Sequence, residues 1–171
     1  TKSGTGTVTL DTVNSYTGGN TINAGTLIVT GTLGSGGTTI NGGTLQMGDG
    51  AATGSFGDAS AITNNGSLVF DRSNNLVQGT DFGTISGTGT VTKSGAGTLT
   101  LGSANTYSGG TTVNAGTIIF GNNSAFGIGA VTLNGGGLKA SGGFTPANNI
   151  FVARAATPDN ARNQQGFGGE H

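Results

Sequence analysis

The chain has 171 residues, a formal net charge of −1, 37 glycines, 2 prolines and no cysteine. It has no basic patch to neutralise phosphates, which argues against nucleic-acid binding. The scarcity of proline excludes a collagen-like chain, and no apolar run approaches the roughly 18 residues of a transmembrane segment. Isolated Val, Ile, Leu and Phe residues between Thr, Ser, Asn and Gly indicate many short strands joined by turns.

One long stretch occurs twice in the chain. Residues 1–29 and 92–120 align without a gap, and 18 of the 29 positions are identical. Internal repetition is typical of solenoids, whose units bury a core only by stacking on their neighbours. Without cysteine, such a protein is expected to be stable without disulfides, and a targeting segment for export would lie outside these residues.

A shorter motif recurs five times: an apolar residue, then Asn-x-Gly, then an alternating segment, with one extra residue in the third copy. Asn and Gly tolerate positive φ, so each Asn-x-Gly is predicted to turn the chain sharply between two strands. The predicted turn residues are Asn23 and Gly25, Asn41 and Gly43, Asn64 and Gly66, Asn114 and Gly116, and Asn134 and Gly136.

The alternation after each of these glycines predicts which side chains point into the core. The predicted core ladder consists of Leu27, Leu45, Leu68, Ile118 and Leu138. The spacing of roughly 18–23 residues fits one turn of a parallel β-helix with two or three short strands. Each coil would stack on the next at roughly 4.8 Å. The sequence therefore predicts an all-β solenoid of about eight coils, with no helices.

The first part of the long repeat predicts two tight strands within residues 87–101, joined by a Lys-Ser-Gly turn. A corner follows at residues 105–110, as it does at residues 14–19 in the first copy. The tyrosine of this corner is predicted to cap the core while its hydroxyl reaches water or a carbonyl.

The long motif runs Gly-x-Gly-Thr-[Leu/Val]-Thr, Gly-x-Gly-Thr-Leu-Thr-Leu, Asn-x-Tyr-x-Gly-Gly-Thr and Gly-Thr-Leu. It resembles the autotransporter-associated β-strand repeat, or passenger-associated transport repeat, of bacterial autotransporter adhesins. The match covers residues 87–120 fully and residues 1–29 from the second element, and the rest resembles the looser coils between such repeats. The resemblance implies a right-handed parallel β-helix, a stalk module without catalytic residues, and a location outside the cell or on the bacterial surface, associated with the outer membrane.

The sequence also predicts the domain organisation. Residues 1–152 are expected to form one β-helix built from two related units, 1–91 and 92–152, with residues 144–152 forming its last strand. Residues 153–171 are polar and show no alternation, so they are expected to form a C-terminal cap, a linker or a tail.

Candidate catalytic and metal-binding groups are few. The only histidine is His171, so a Ser-His-Asp triad and a zinc site are both poorly supported. Within residues 49–81, Asp58 and Asp81 have the same spacing as two rungs of the predicted ladder. They are therefore expected to stack on neighbouring coils, as a glycosidase or calcium site would require. The other interpretation is that these aspartates are turn residues. Asp49 aligns with Arg72, which predicts a surface ion pair.

We therefore expect a non-enzymatic extracellular structural module without cofactor or metal: a β-helical stalk of a surface adhesin passenger, or a fibre subunit. Because an uncapped β-helix exposes backbone donors and acceptors at both ends, end-to-end stacking or strand donation between copies is a candidate interaction. A host or glycan surface is the other candidate partner. The alternative function is polysaccharide binding or cleavage by the aspartates of residues 49–81.

Overall fold

The computed structural model describes residues 1–153, and all regular elements of this part of the chain are short β-strands. Glycine and other turn residues interrupt the alternating segments at short intervals, which keeps each strand short. The strands are β1 (Thr7–Leu10), β2 (Asn20–Ile22), β3 (Thr26–Val29), β4 (Thr38–Ile40), β5 (Thr44–Met47), β6 (Ile62–Asn64), β7 (Ser67–Phe70), β8 (Leu76–Val77), β9 (Ile85–Ser86), β10 (Thr90–Lys93), β11 (Thr98–Leu101), β12 (Thr111–Val113), β13 (Thr117–Phe120), β14 (Val131–Leu133), β15 (Gly137–Ala140) and β16 (Ile150–Val152). Within the described range, no helix is long and apolar enough to span a membrane.

The strands form three parallel sheets, which we call faces I, II and III of a solenoid. Face I has the order β1-β3-β5-β7-β10-β12-β14-β16, face II has β2-β4-β6-β9, and face III has β8-β11-β13-β15. Along face I, Thr26 pairs with Thr44 and Thr44 pairs with Ser67, which matches the coil spacing expected from the sequence. The predicted all-β parallel β-helix is therefore confirmed, with about seven turns.

Two columns of inward side chains run along face I. The first column is Val8, Leu27, Leu45, Leu68, Val91, Thr111, Val131 and Ile150, and the second is Leu10, Val29, Met47, Phe70, Lys93, Val113, Leu133 and Val152. Every member of the first column from Leu27 to Val131 is buried. Because burial of one Leu or Val contributes roughly 1.5–3 kcal/mol, these columns supply much of the stability.

The longest coils of the solenoid contain an aromatic cluster. The coils that run from β5 to β7 and from β7 to β10 are longer than the coil from β3 to β5, and their added residues include Phe56 and Phe82. The ring centroids of Phe70 and Phe82 are 5.1 Å apart, and Phe56 lies 5.6 Å from Phe82. Phe70 and Phe82 are buried, and Phe56 packs against the core, so the three tilted rings help to fill the interior of these longer coils.

The predicted core ladder is divided between two faces. Leu27, Leu45 and Leu68 stack on face I, whereas Ile118 pairs with Leu138 on face III. The reason is that the second copy of the long repeat lies four full coils and one further face along the solenoid from the first copy. The strand β11 therefore lies on face III, although its counterpart β1 lies on face I. The single ladder expected from the sequence is thus two ladders, one with three rungs and one with two.

The predicted turns are of two kinds. The glycines with positive φ are Gly25, Gly43 and Gly116, at 69°, 73° and 67°. Gly66 and Gly136 are not among the glycines with positive φ, and close packing between coils explains glycine there. A Cβ atom at Gly66 would lie 2.5 Å from the carbonyl oxygen of Gly43, and one at Gly136 would meet a methyl group of Val113.

Asn64, a predicted turn residue, lies instead in β6. The extra residue of the third copy shifts it into register with Ile40, and its side chain is fully buried. Its Nδ2 donates to the carbonyl oxygen of Thr90 at 2.8 Å, and its Oδ1 accepts from the backbone N–H of Gly66 at 3.2 Å. The amide is therefore satisfied inside the solenoid, as a buried polar group must be.

The last strand expected within residues 144–152 is present as β16. The division into units 1–91 and 92–152 stays a prediction. The cap, linker or tail expected from residue 153 onwards falls almost entirely on residues 154–171, which lie outside the described residues.

We predict that Leu68→Ala lowers the free energy of unfolding by about 3 kcal/mol, because it removes a fully buried side chain from the middle of face I. The matched control is Leu138→Ala in β15, where the side chain is only partly buried at the end of face III. We expect that variant to lose less than about 1.5 kcal/mol. Urea unfolding followed by circular dichroism measures both losses, and equal losses would contradict the assignment of the tightest packing to the middle turns.

Candidate functional site: repeat turns of the solenoid

The aspartates of residues 49–81 stabilise backbone turns through hydrogen bonds. Asp58 accepts hydrogen bonds from the backbone N–H groups of Gly36 at 2.9 Å and Ser60 at 3.0 Å. Asp81 accepts from the backbone N–H of Val77 at 2.7 Å. In residues 1–153, no three His, Cys, Asp or Glu side chains are grouped as a metal ion would require. The structure therefore favours the turn interpretation of these residues over a carboxylate pair.

The ion pair expected between Asp49 and Arg72 is replaced by other contacts. Asp49 accepts from the hydroxyl of Thr53 at 3.2 Å within its own turn. The buried Arg72 donates to the carbonyl oxygen of Gly54 and, at 2.9 Å, to Oδ1 of Asn74. Burial lowers the pKa of the Arg72 guanidinium, and the nearby charge of Asp81 opposes that shift. The arginine thus links neighbouring coils through a backbone carbonyl.

The lysine of the long repeat is a structural residue in both copies. Lys93 is 2% exposed, and its Nζ donates to the carbonyl oxygen of Gly95. Lys2 donates in the same way to Gly4, and also, at 3.0 Å, to the carbonyl oxygen of Ala24 in the next coil. Burial lowers the pKa of Lys93, while the charge of Asp71 raises it. Each ammonium group therefore sits between the Lys-Ser-Gly loop and the coil that follows.

The asparagine of each repeat corner also joins two coils. Nδ2 of Asn14 donates to the carbonyl oxygen of Thr32 at 2.9 Å, and Nδ2 of Asn105 donates to that of Ala125 at 2.7 Å. Asn105 is buried, and its Oδ1 accepts from Nε2 of Gln78 at 2.7 Å. A buried network in which each polar group has a partner favours one arrangement of the coils over others.

The two repeat tyrosines make equivalent hydrogen bonds. The hydroxyl of Tyr16 donates to Oδ1 of Asn20, and that of Tyr107 bonds to the hydroxyl of Thr111, both at 2.6 Å. Tyr107 is fully buried, whereas Tyr16 is 42% exposed. Burial raises the pKa of Tyr107 far above its ordinary value. Each hydroxyl therefore bonds to a side chain four positions ahead: an amide carbonyl oxygen for Tyr16, as the sequence led us to expect, and a hydroxyl for Tyr107.

The exposed turn asparagines form short ladders. Nδ2 of Asn41 donates to Oδ1 of Asn23 at 2.8 Å, and Nδ2 of Asn134 donates to Oδ1 of Asn114 at 2.9 Å. Such amide-to-amide bonds between stacked strands add to the backbone ladder. Sequence reasoning assigned these asparagines only to turns, Lys93 to the Lys-Ser-Gly turn, and Asn14 and Asn105 to corners. It predicted no contact between coils for any of them, and Lys93 lies instead at the end of β10. For the lysine and asparagine pairs Lys2/Lys93 and Asn14/Asn105, the available signal was their identity in both copies of the long repeat.

The first and the last described turns carry exposed apolar side chains. At one end a groove of about 340 Å³ lies beside β1 and is lined by Val8, Leu10, Tyr16 and Leu27, among others. At the other end β16 is the edge strand of face I. Its side chains are 47%, 57% and 72% exposed at Ile150, Phe151 and Val152.

The model of the passenger-associated-transport-repeat family matches residues 1–29, 30–47 and 91–120. The chain contains passenger-associated-transport repeats. The repeats at residues 1–29 and 91–120 include the lysine, asparagine and tyrosine contacts described above, and the repeat at 30–47 includes β4 and β5, which the resemblance had assigned to looser coils. No curated protein and no solved structure matches the chain. The repeats support an autotransporter-passenger β-helical module.

We predict that Gly116→Ala lowers the free energy of unfolding by about 3 kcal/mol. The added Cβ would lie 2.6 Å from the carbonyl oxygen of Gly95 and 2.8 Å from Nζ of Lys93, at a φ of 67° that disfavours alanine. Gly102→Ala is the control, because nothing lies within 4 Å of a Cβ there. Urea unfolding compares the two variants, and a similar midpoint for both would contradict a closed turn around the Lys93 ammonium.

We predict a contribution of Asp58 to acid sensitivity. The N–H groups of Gly36 and Ser60, together with the Ser60 side chain, lower the pKa of its carboxyl below 3.8. The stabilisation is present above the unfolded-state pKa and is lost as pH falls through the lower folded-state pKa. The urea midpoint of the parent should therefore fall more steeply below about pH 4 than that of Asp58→Asn. Parallel pH profiles would contradict this role.

Proposed function

We propose that the chain is a non-enzymatic structural module: a stalk segment in the passenger of a surface adhesin, or of an extracellular fibre. The observation that supports this proposal is the set of contacts made by the side chains that occur in both copies of the long repeat. The lysine, asparagine and tyrosine that occur in both copies of the long repeat are all engaged in contacts within the solenoid wall. Residues repeated for binding would instead be presented to a ligand.

The proposed mechanism is mechanical. Backbone hydrogen bonds run from coil to coil along the axis, and the inward columns bury apolar side chains at every step. Bending or stretching such a stack would break many backbone hydrogen bonds at the same time. The module therefore keeps its length and holds other parts of a protein at a fixed distance from one another. A protease needs a locally opened segment, and tightly paired coils rarely provide one.

We propose a location outside the cell or at the bacterial surface, associated with the outer membrane, because the repeats are of the passenger type. The composition is consistent with that location. The chain has no cysteine, so its stability does not depend on an oxidising compartment.

Polysaccharide binding or cleavage by residues 49–81 has no specific observation in its favour. The carboxylates of Asp49, Asp58 and Asp81 are engaged by hydrogen-bond donors in their own or neighbouring turns. A glycosidase needs one carboxyl group as a general acid and a second as base or nucleophile across a cleft. These three side chains are oriented by turns instead.

The test is digestion of the parent by proteinase K, with release of reducing sugar from bacterial and plant polysaccharides measured in parallel. We expect a fragment containing most of residues 1–153 to persist, no sugar release, and faster digestion of Leu68→Ala than of Leu138→Ala. Rapid loss of the parent would contradict the structural role. Sugar release that Asp58→Ala or Asp81→Ala abolishes would establish the enzymatic alternative.

A further inference from the structure

We propose that the coil between β7 and β10 is the interior coil that opens most readily, and that the side chains of Gln78 and Asn105 keep it closed. We call residues 71–89, which form this coil, the junction coil. The inference rests on the proposed structural function, because it identifies the place where a stalk built from this solenoid yields first. The junction coil lies in the middle of the chain and has described coils on both sides.

The first support is that the second sheet of the solenoid changes within the junction coil. Face II ends at β9 and face III begins at β8, so only face I has strands both before and after this coil. The strand β9 pairs with β6 of the preceding coil, whereas β8 pairs with β11 of the following coil. Within residues 1–153, the one pair that joins a strand before the junction coil to a strand after it is β7 with β10.

The second support is that the strands of the junction coil have short ladders. The strands β8 and β9 have two residues each, and every other described strand has three or four. On face II, the backbone N–H of Thr106 donates to the carbonyl oxygen of Ile85 at 2.9 Å, but no described strand follows β9 there. Local opening costs less free energy where fewer backbone bonds must break together, so this coil depends more on side-chain contacts than its neighbours do.

The third support is that two buried side chains make bonds to β9 and to the turn before it. Nε2 of Gln78 donates to the carbonyl oxygen of Gly83 at 3.1 Å and to Oδ1 of Asn105 at 2.7 Å. The same Oδ1 accepts from the backbone N–H of Ile85, the first residue of β9, at 2.8 Å. Nδ2 of Asn105 donates onward to the carbonyl oxygen of Ala125 at 2.7 Å. The pair therefore fastens β9 to the two coils that follow it, where face II has no further strand.

The burial of this pair makes its loss costly. Gln78 and Asn105 are 6% and 2% exposed, so water cannot readily replace either partner. Removal of one side chain would leave buried polar groups of the other, and of the backbone beside it, without a partner. We therefore expect the junction coil to open locally in such a variant before the rest of the solenoid does.

The experiment measures hydrogen exchange of the full chain by mass spectrometry, with peptides assigned to each coil, in the parent and in Gln78→Ala, Asn105→Ala and Asn20→Ala. Asn20→Ala is the matched control, because Asn20 is also buried, at 7% exposed, and donates to the carbonyl oxygen of Gly34 at 2.8 Å. Gln78→Ala is the milder change at the junction coil, since it leaves the bond between Asn105 and Ile85 in place. Circular dichroism checks that each variant is folded.

We expect the junction coil of the parent to exchange faster than β3 and β5 before it and β12 and β13 after it. Gln78→Ala and Asn105→Ala should each speed exchange in residues 71–89 by at least about tenfold, because each removes buried hydrogen bonds, with smaller changes in β3 and β5. Asn20→Ala should instead speed exchange around β2 and β4 and leave residues 71–89 unchanged. Proteinase K should cut Asn105→Ala first within the junction coil.

Three results would overturn the proposal: a junction coil as well protected in the parent as its neighbours, a uniform loss of protection in either junction variant, or faster exchange of residues 71–89 in Asn20→Ala. A uniform loss would indicate that the solenoid opens as one unit. If Asn105→Ala does not fold, Gln78→Ala decides by the same criteria. Any of these results with a parent that resists proteinase K would reject only the role of the junction coil, whereas rapid digestion of the parent would reject the structural function itself.

Discussion

The structure depends on the parallel pairing of each coil with the next. Every strand of face I is held by backbone bonds to strands one full coil away along the chain, so no unit has a core of its own. Because side chains alternate with a period of two, parallel pairing in a fixed register places the same positions inward on every coil. The apolar columns follow from that register, and they also stabilise it. A strand that slipped by one position would expose its apolar side chains to solvent.

The repeated polar residues make hydrogen bonds at or next to the corners between faces. Lys93, Asn105 and Tyr107 are all buried, and each has a hydrogen-bond partner within the wall of the solenoid. Buried polar groups without partners cost free energy, whereas satisfied ones restrict the alternatives to the native stacking. The long repeat therefore specifies how one coil is fixed to another, as the proposed structural function requires.

Most of the fold could be predicted from local patterns, because glycine turns and alternation act over short distances along the chain. Gly25, Gly43 and Gly116 have the expected positive φ, and the parallel β-helix is present. The pattern could not predict where Asn64 lies, since one inserted residue moved it from the turn into β6. The sequence offered a turn role for Asp58 but could not show that its carboxylate also joins two coils, because the N–H of Gly36 lies on another coil.

The sequence by itself determined the strand content, most of the turn residues, the approximate length of a coil and the repeat family, because all of these are properties of short motifs. Only the tertiary structure decided which face each motif occupies. The long repeat does not return after a whole number of turns, so Leu27 and its counterpart Ile118 lie on different faces although their surroundings in the sequence are nearly identical. Position around the axis is the sum of all preceding coil lengths, and no single motif contains that sum.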